Sequence, residues 1–200
     1  MSAGDPARVV VRKPAAVRRQ EIIDAAAVEF AAGGLAGTGL ETIAAGAGIS
    51  HPRVVQMFGS KQKLFLEVVE SVYGRVAAVF TDVAVRESRS EGGPDLVDLG
   101  RAYLRLLQRD RTVALVMLQG YAAAGDDVVR AVVARRYLEL QQQVIDMTGA
   151  DAHRIRSFMA TGLVVTISTA LALPGKRDDA VWGAWLLELA GTDSLGDHQV

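Results

Sequence analysis

The 200-residue sequence contains no cysteine, and this removes disulfides, thiolate catalysis and cysteine-based zinc sites together. Aromatic residues make up only 6% against 50% hydrophobic, so a core would be built on Ala, Val and Leu, a balance that suits closely packed helices. There is almost no net charge, −1 at neutral pH, and so no global attraction to a polyanion. A long apolar run is also missing. The least charged stretch, 157–175, is interrupted by Thr161, Thr166, Ser168, Thr169 and Pro174 and falls short of the ~20 strongly apolar residues that a membrane span requires. The basic N-terminus lacks the apolar segment of a secretory signal, so a soluble cytoplasmic protein with no membrane partner is expected. The three histidines, His51, His153 and His198, are far apart, and no HExxH or nucleophile elbow occurs. Neither an enzyme nor a bound metal or cofactor is expected.

What charge there is lies unevenly. Residues 1–63 hold eight basic and five acidic side chains, so the front is about +3 and the remainder about −4, the separation of a DNA-binding head on a neutral or acidic body. Residues 1–15 carry Arg8, Arg12 and Lys13 among Gly4, Pro6 and Pro14 and are expected to be a disordered basic arm, either solvated or lying along DNA.

From Ala15 onward helical periodicity dominates. Ile22, Ile23, Ala26, Ala27 and Phe30 form one face of a first helix from Ala15 to about Ala32, ended by Gly33 and Gly34, while Arg18, Arg19, Glu21, Asp24 and Glu29 point away. Thr38 and Glu41 fit a capping box, which places the next helix start near residue 39. Leu40, Ile43, Ala44 and Ala47 then share a face, Gly48 stops the helix, and Ile49 plugs the turn. Ser50 is a suitable N-cap for a third helix with Pro52 in its first turn. Val54 and Phe58 suffice to pin that helix, which leaves His51, Arg53 and Gln56 able to bond base edges or phosphates. Helix, glycine turn and polar-faced helix make a helix-turn-helix pattern, although two amphipathic helices about a glycine turn are also common in all-helical proteins without DNA.

Ser60 caps a long fourth helix whose stripe of Leu64, Phe65, Val68, Val72, Val76 and Val79 runs to the mid-80s. The polar segment 87–95 is the clearest linker. Helices are then expected over about 95–109, 112–124, 126–147, 151–173 and 178–190. The fold class is all-α with about nine helices: a three-helix head joined by the long fourth helix to a C-terminal bundle. The expected division is 1–15 arm, 16–62 DNA-binding domain and 63–200 ligand-binding and dimerisation domain.

With these helices laid out, residues 17–70 resemble the TetR family of bacterial transcriptional regulators. The resemblance rests on IIDAAAVEFAAGG at 22–34, on Ile43-Ala44, on the turn Ala47-Gly48-Ile49-Ser50, and on Phe58-Gly59-Ser60-Lys61 before Leu64-Phe65. It implies a sequence-specific DNA-binding regulator, most simply a repressor that binds a palindromic operator in double-stranded DNA as a homodimer and is released by a small-molecule inducer. The third helix would enter the major groove, with His51, Pro52, Arg53 and Gln56 at the reading positions and Thr38 and Lys61 near phosphates. Arg53 suits guanine and Gln56 adenine. The chain departs from the family at Val55, where a tyrosine is frequent, and at Met57, where histidine or tyrosine is. This leaves a second reading open, a helical adaptor that has lost DNA binding, with a helical-bundle enzyme as the remaining alternative.

The resemblance further implies a four-helix dimer interface. Candidates are the small residues Ala160, Gly162, Thr166 and Ala170 on the penultimate helix, and Trp182, Trp185, Leu186 and Leu189 on the last, although the last set could instead cover the protein's own core. An inducer cavity within the body would draw on Tyr103, Leu107, Met117, Gln119, Tyr121 and Phe158, each of which could equally be plain core.

Overall fold

The computed structural model describes residues 14–87 and 94–173, and these fold into eight helices with no strand among the described residues. The basic arm, most of the polar linker, the expected ninth helix and with it Trp182, Trp185, Leu186 and Leu189 lie outside the described residues.

Helix α1 (Ala15–Gly37) buries Ile22, Ile23, Ala26 and Phe30 along one face, as the spacing predicts. Its regular part stops at Gly34, whose φ of 65° and ψ of −177° is a conformation open essentially to glycine alone. The chain re-forms one further turn and then extends into α2 (Leu40–Gly46), which buries Ile43 and Ala44. The capping box expected at Thr38 and Glu41 does not form. Gly39 is the N-cap, and the Thr38 hydroxyl is turned inward to donate to the Glu29 carbonyl at 3.1 Å. Closing the loop onto α1 wins here over capping, because Thr38 is buried and its hydroxyl would otherwise lack a partner.

Gly48, at φ 63°, provides the left-handed turn between α2 and α3 (His51–Phe58). Ser50 is the N-cap of α3 by backbone geometry, but its side chain makes no capping bond. Helix α4 (Lys61–Glu87) starts with the Ser60 hydroxyl accepting from Lys63 N–H at 3.1 Å. Its stripe is buried from Leu64 through Val76 and continues into Phe80 and Val83. Phe65 meets Phe30 edge to face at 5.0 Å, which bolts α1 to the helix shared with the body.

Four body helices follow: α5 (Leu96–Arg109), α6 (Arg111–Ala122), α7 (Asp127–Thr148) and α8 (Ala152–Ala170). Each starts on an aspartate, Asp95, Asp110, Asp126 or Asp151, whose carboxylate accepts from first-turn amides. Polar ties hold the layers together: Arg75 to Asp110 at 2.8 Å, Gln143 to the Ala77 carbonyl at 3.0 Å, and Glu70 to both Arg135 and Arg136. The core is continuous from Ile22 in the head to Val165 in the body.

Candidate nucleic-acid interface and body cavity

The short α3 is fixed by two side chains, Val54 and Phe58, both buried. Helical phase then decides the rest: Pro52, Arg53, Val55 and Gln56 face outward, with His51 half-exposed at the start. The Arg53 guanidinium donates to Gln56 Oε1 at 2.7 Å. One donor of the arginine fork is thus committed, while the remaining fork and the Gln56 amide nitrogen stay available to base edges. His51 Nδ1 lies 3.5 Å from the Glu41 carboxylate, linking the start of α3 to α2. Val55, 39% exposed, sits in the middle of this face, whereas Met57 packs half-buried against the core.

A residue that the periodicity of α1 assigned to solvent does much of the positioning. Arg19 stacks its guanidinium over the Phe58 ring at 4.4 Å, donates to the Met57 carbonyl at 3.1 Å, and pairs with Glu67. It satisfies an orphan carbonyl at the end of α3 while tying that helix to α1 and α4. No spacing rule predicts such a contact, since it depends on three elements meeting.

Lys61 and Thr38 also act within the head. The Lys61 ammonium donates to the carbonyls of Ala36 at 3.2 Å and Thr38 at 3.0 Å, holding the loop between α1 and α2. Thr38 faces the Glu29 carbonyl, so its side chain serves the loop rather than the outer surface.

In the body, α4, α5, α6, α7 and α8 line a cavity that is partly open to solvent. Four of the six expected side chains line it: Tyr103, Met117, Tyr121 and Phe158. The other two do not. Leu107 is fully buried and belongs to the general core. Gln119 lies on the opposite side of α6, packed on the α1 break, where a Cβ added to Gly34 would come within 2.6 Å of its amide oxygen. Helical phase separates them: Tyr121 and Met117 are one turn apart on the cavity side, and Gln119 lies midway between them. Sequence reasoning missed Phe80, which packs 6.3 Å from Tyr103 and 6.1 Å from Phe158. Extending the α4 stripe one turn beyond Val76 would have found it.

Burial raises the tyrosine hydroxyl pKa values of the body. Desolvation is the main cause for Tyr73, Tyr103 and Tyr121, with mutual repulsion among the phenols adding to it. These groups therefore stay neutral hydroxyls.

On α8, Thr166 and Ala170 point into the protomer's own core, and Gly162 lines the cavity. Of the small residues expected at an outer contact only Ala160 is exposed. The outward face instead carries Leu163, Val164, Ile167 and Leu171, exposed by 40–61%.

Comparison with known proteins decides the reading of the head. Residues 22–68 match the family model of bacterial regulatory proteins, tetR family. Residues 22–68 thus carry the head of the tetR family of bacterial regulatory proteins. The fold of the whole agrees. A TetR-like transcriptional regulator from Rhodococcus sp. RHA1 superposes with a TM-score of 0.68 at 22% identity, covering 92% of this chain and 100% of that one. A TetR-family member from Streptomyces coelicolor A3 gives 0.67 at 24% identity over 86% and 97%. The multidrug binding protein EbrR, solved with imidazole, gives 0.59 at 24% identity over 88% and 96%. No curated protein sequence matches. TetR-family proteins are transcriptional regulators, and the match of the head supports a regulator rather than an enzyme. Among the described residues no helix is long and apolar enough to cross a membrane.

Proposed function

We propose that this TetR-family chain is a cytoplasmic repressor that binds a palindromic operator as a homodimer and is released when a small molecule fills the body cavity. The division of labour is 1–15 arm, 16–62 DNA reading, and 63–200 ligand binding and dimerisation. The observation that carries this reading is the outer face of α3, where Arg53 and Gln56 stand exposed on a helix clamped from behind by Val54, Phe58 and Arg19. Arg53 reads guanine through its remaining fork, and Gln56 reads adenine. His51 and Pro52 flank them at the helix start. Val55 replaces a polar contact with an apolar one suited to a thymine methyl. Lys61 and Thr38 hold together the loop between α1 and α2, and Lys61 adds a positive charge for the phosphate backbone.

Dimerisation is supported by the outer face of α8. Ala160, Leu163, Val164, Ile167 and Leu171 recur at helical spacing, and such a stripe on a lone protomer would leave a contiguous apolar surface in water. A second copy related by two-fold symmetry covers both stripes at once and sets two α3 helices about one DNA turn, ~34 Å, apart.

Release follows from differential affinity: a ligand that prefers the conformation with misplaced reading helices weakens DNA binding by that preference alone. Among the contacts that join the cavity helices to the head are two made by glutamine side chains. Gln119 of α6 rests on the α1 break at Gly34, and Gln62 at the start of α4 donates to Asp126 at the start of α7 at 2.8 Å.

Selection of bound sequences from a random DNA pool tests the reading. A two-fold symmetric consensus is expected, together with a dimer mass in light scattering at micromolar protein that Ile167→Glu reduces to a monomer. Enrichment of no sequence would overturn DNA reading in favour of an adaptor role.

A further inference from the structure

The cavity is walled by apolar side chains and aromatic rings, and among the described residues none of those lining it carries a formal charge. Its polar side-chain atoms are chiefly the hydroxyls of Tyr103, Tyr121, Tyr137, Thr161 and Thr166, and the bonds made by three of them fix what Tyr103 and Tyr121 have left over. Thr166 donates to the Gly162 carbonyl at 2.8 Å, so its single hydrogen is committed. The 2.6 Å contact between Thr166 and Tyr103 must then be made with Tyr103 as donor. The Tyr103 oxygen keeps a vacant lone pair. Its remaining polar neighbour is Met117 Sδ at 3.5 Å, which has no hydrogen to give. At Tyr121, a second lining residue, the oxygen accepts from Tyr73 at 3.2 Å, and the Tyr121 hydrogen has no acceptor among the described residues. Tyr121 thus offers an uncommitted donor and Tyr103 an uncommitted acceptor, both on rings held by packing, beside the hydroxyls of Tyr137 and Thr161 in the same lining.

We propose that the cavity selects an uncharged, largely apolar molecule bearing both a carbonyl-type acceptor, which receives the Tyr121 O–H, and a hydroxyl or N–H donor, which meets the Tyr103 oxygen. This rests on the ligand-responsive reading above and narrows it to a chemical class, hydroxylated ketones and their lactam or lactone equivalents. A carboxylate or ammonium would enter without a counter-ion, and a buried charge left unpaired is strongly disfavoured. No phenolate is present to balance a cation, because burial keeps the tyrosines neutral.

Isothermal titration of the full-length protein with one scaffold in several forms tests this. The probes are 4-hydroxychalcone, its 4-carboxy and 4-aminomethyl analogues, and two neutral analogues, one lacking the carbonyl and one lacking the hydroxyl. The hydroxyketone is expected to bind at least about tenfold more tightly than either charged form, because the charged forms gain no partner. Tyr121→Phe should weaken the hydroxyketone by roughly fivefold, the worth of one hydrogen bond, and leave the carbonyl-free analogue unchanged. Tyr103→Phe should weaken the hydroxyketone similarly and spare the analogue lacking the hydroxyl. Equal binding of a charged form, equal effects of Tyr121→Phe on both carbonyl states, or no binding of any form at millimolar concentration would overturn the assignment. Operator affinity measured in parallel separates it from the reading beneath. Selective binding with unchanged operator affinity upholds the cavity chemistry and sinks ligand-driven release. Operator release only by a charged compound that displaces the probe does the reverse.

Discussion

Head and body begin their helices in opposite ways. All four body helices, α5 to α8, start on an aspartate whose carboxylate bonds first-turn amides. None of the three head helices has a side-chain cap: Pro14, Gly39 and Ser50 stand at those positions and make no such bond. Even α4, shared between the two, is capped by the neutral Ser60. A carboxylate fixed at a helix start stabilises it through the amides and the helix dipole, but beside DNA it would set a negative charge against phosphate. The body, which never meets DNA in the proposed function, uses four such groups, while the head stabilises itself by other means. This distribution gives a local structural meaning to the charge split of about +3 and −4 along the sequence.

The head's substitute for caps is tertiary. Phe30 and Phe65 meet edge to face, both fully buried, and Arg19 closes the end of α3. Phe65→Ala is therefore the change expected to matter most, costing ~3–5 kcal/mol in chemical denaturation because it removes a buried ring and leaves a cavity at the joint of head and body. If the loss were no larger than that of one body cap, the head would be held by something other than this bolt.

Gly34→Ala ranks next. It forces a side chain onto a glycine-only backbone conformation and against Gln119, so a loss of about 1–3 kcal/mol is expected. Gly74→Ala, within α4 and with open space around its added Cβ, should instead gain up to about 1 kcal/mol. Opposite signs at two glycines would show that the break in α1 is a built feature; the same sign would remove the reason for it. Arg53→Ala should leave stability unchanged but weaken specific DNA binding by ~1–3 kcal/mol and relax preference at one base pair, measured by titration against single-position operator variants.

These positions also show how much was legible in the sequence. Gly34, Gly48, Gly149 and the aspartates before α5, α7 and α8 mark helix ends by local backbone chemistry, and the helices fall within a few residues of where that chemistry puts them. The outward set on α3 followed from two buried residues and the helical period. Contacts that need three elements to meet were not legible. Arg19 reads as a solvent-facing residue of α1, Lys61 as a phosphate contact with no sign of its bonds to the Ala36 and Thr38 carbonyls, and Gln119 as a cavity residue rather than a neighbour of Gly34. The capping box at Thr38 failed for the same reason, since the Glu29 carbonyl, nine residues back, competes for the same hydroxyl. On α8 the small residues suggested an outer contact, but the space they leave is used within the protomer, and larger aliphatic residues face out.

The body caps should each be worth about 1 kcal/mol on replacement by alanine, with Asp126→Ala the most informative because Asp126 also accepts from Gln62 of the head. Acid provides a second measure. The Asp151 carboxyl is held below its ordinary value of 3.8, chiefly by the Arg154 backbone N–H, with His153 N–H adding to it. For Asp110 burial pushes upward, yet hydrogen bonds from Arg75 and Thr112 outweigh it and the net shift is also downward. A carboxylate whose folded pKa is depressed contributes its stability in full above its unfolded value and loses it as pH falls through the lower folded one. The caps at Asp110 and Asp151 therefore hold down to about pH 4 and fail below it. Asp151→Asn should flatten that acid limb in stability measured against pH, whereas an unchanged limb would mean that the cap bonds carry no net free energy.

The smallest effect bears most directly on the contrast between the two regions. Ser50 has the extended backbone of an N-cap, φ −82° and ψ 148°, and is a residue type well suited to that position, but its hydroxyl bonds neither of the amides it could reach. Ser50→Ala should therefore change stability by less than about 0.5 kcal/mol, the range of an ordinary surface substitution, while the chemically similar loss at Asp151 costs roughly twice that or more. A cost near 1 kcal/mol at Ser50 would mean that the hydroxyl caps α3 in solution, and the difference between open helix starts in the head and closed ones in the body would then reduce to a difference of charge.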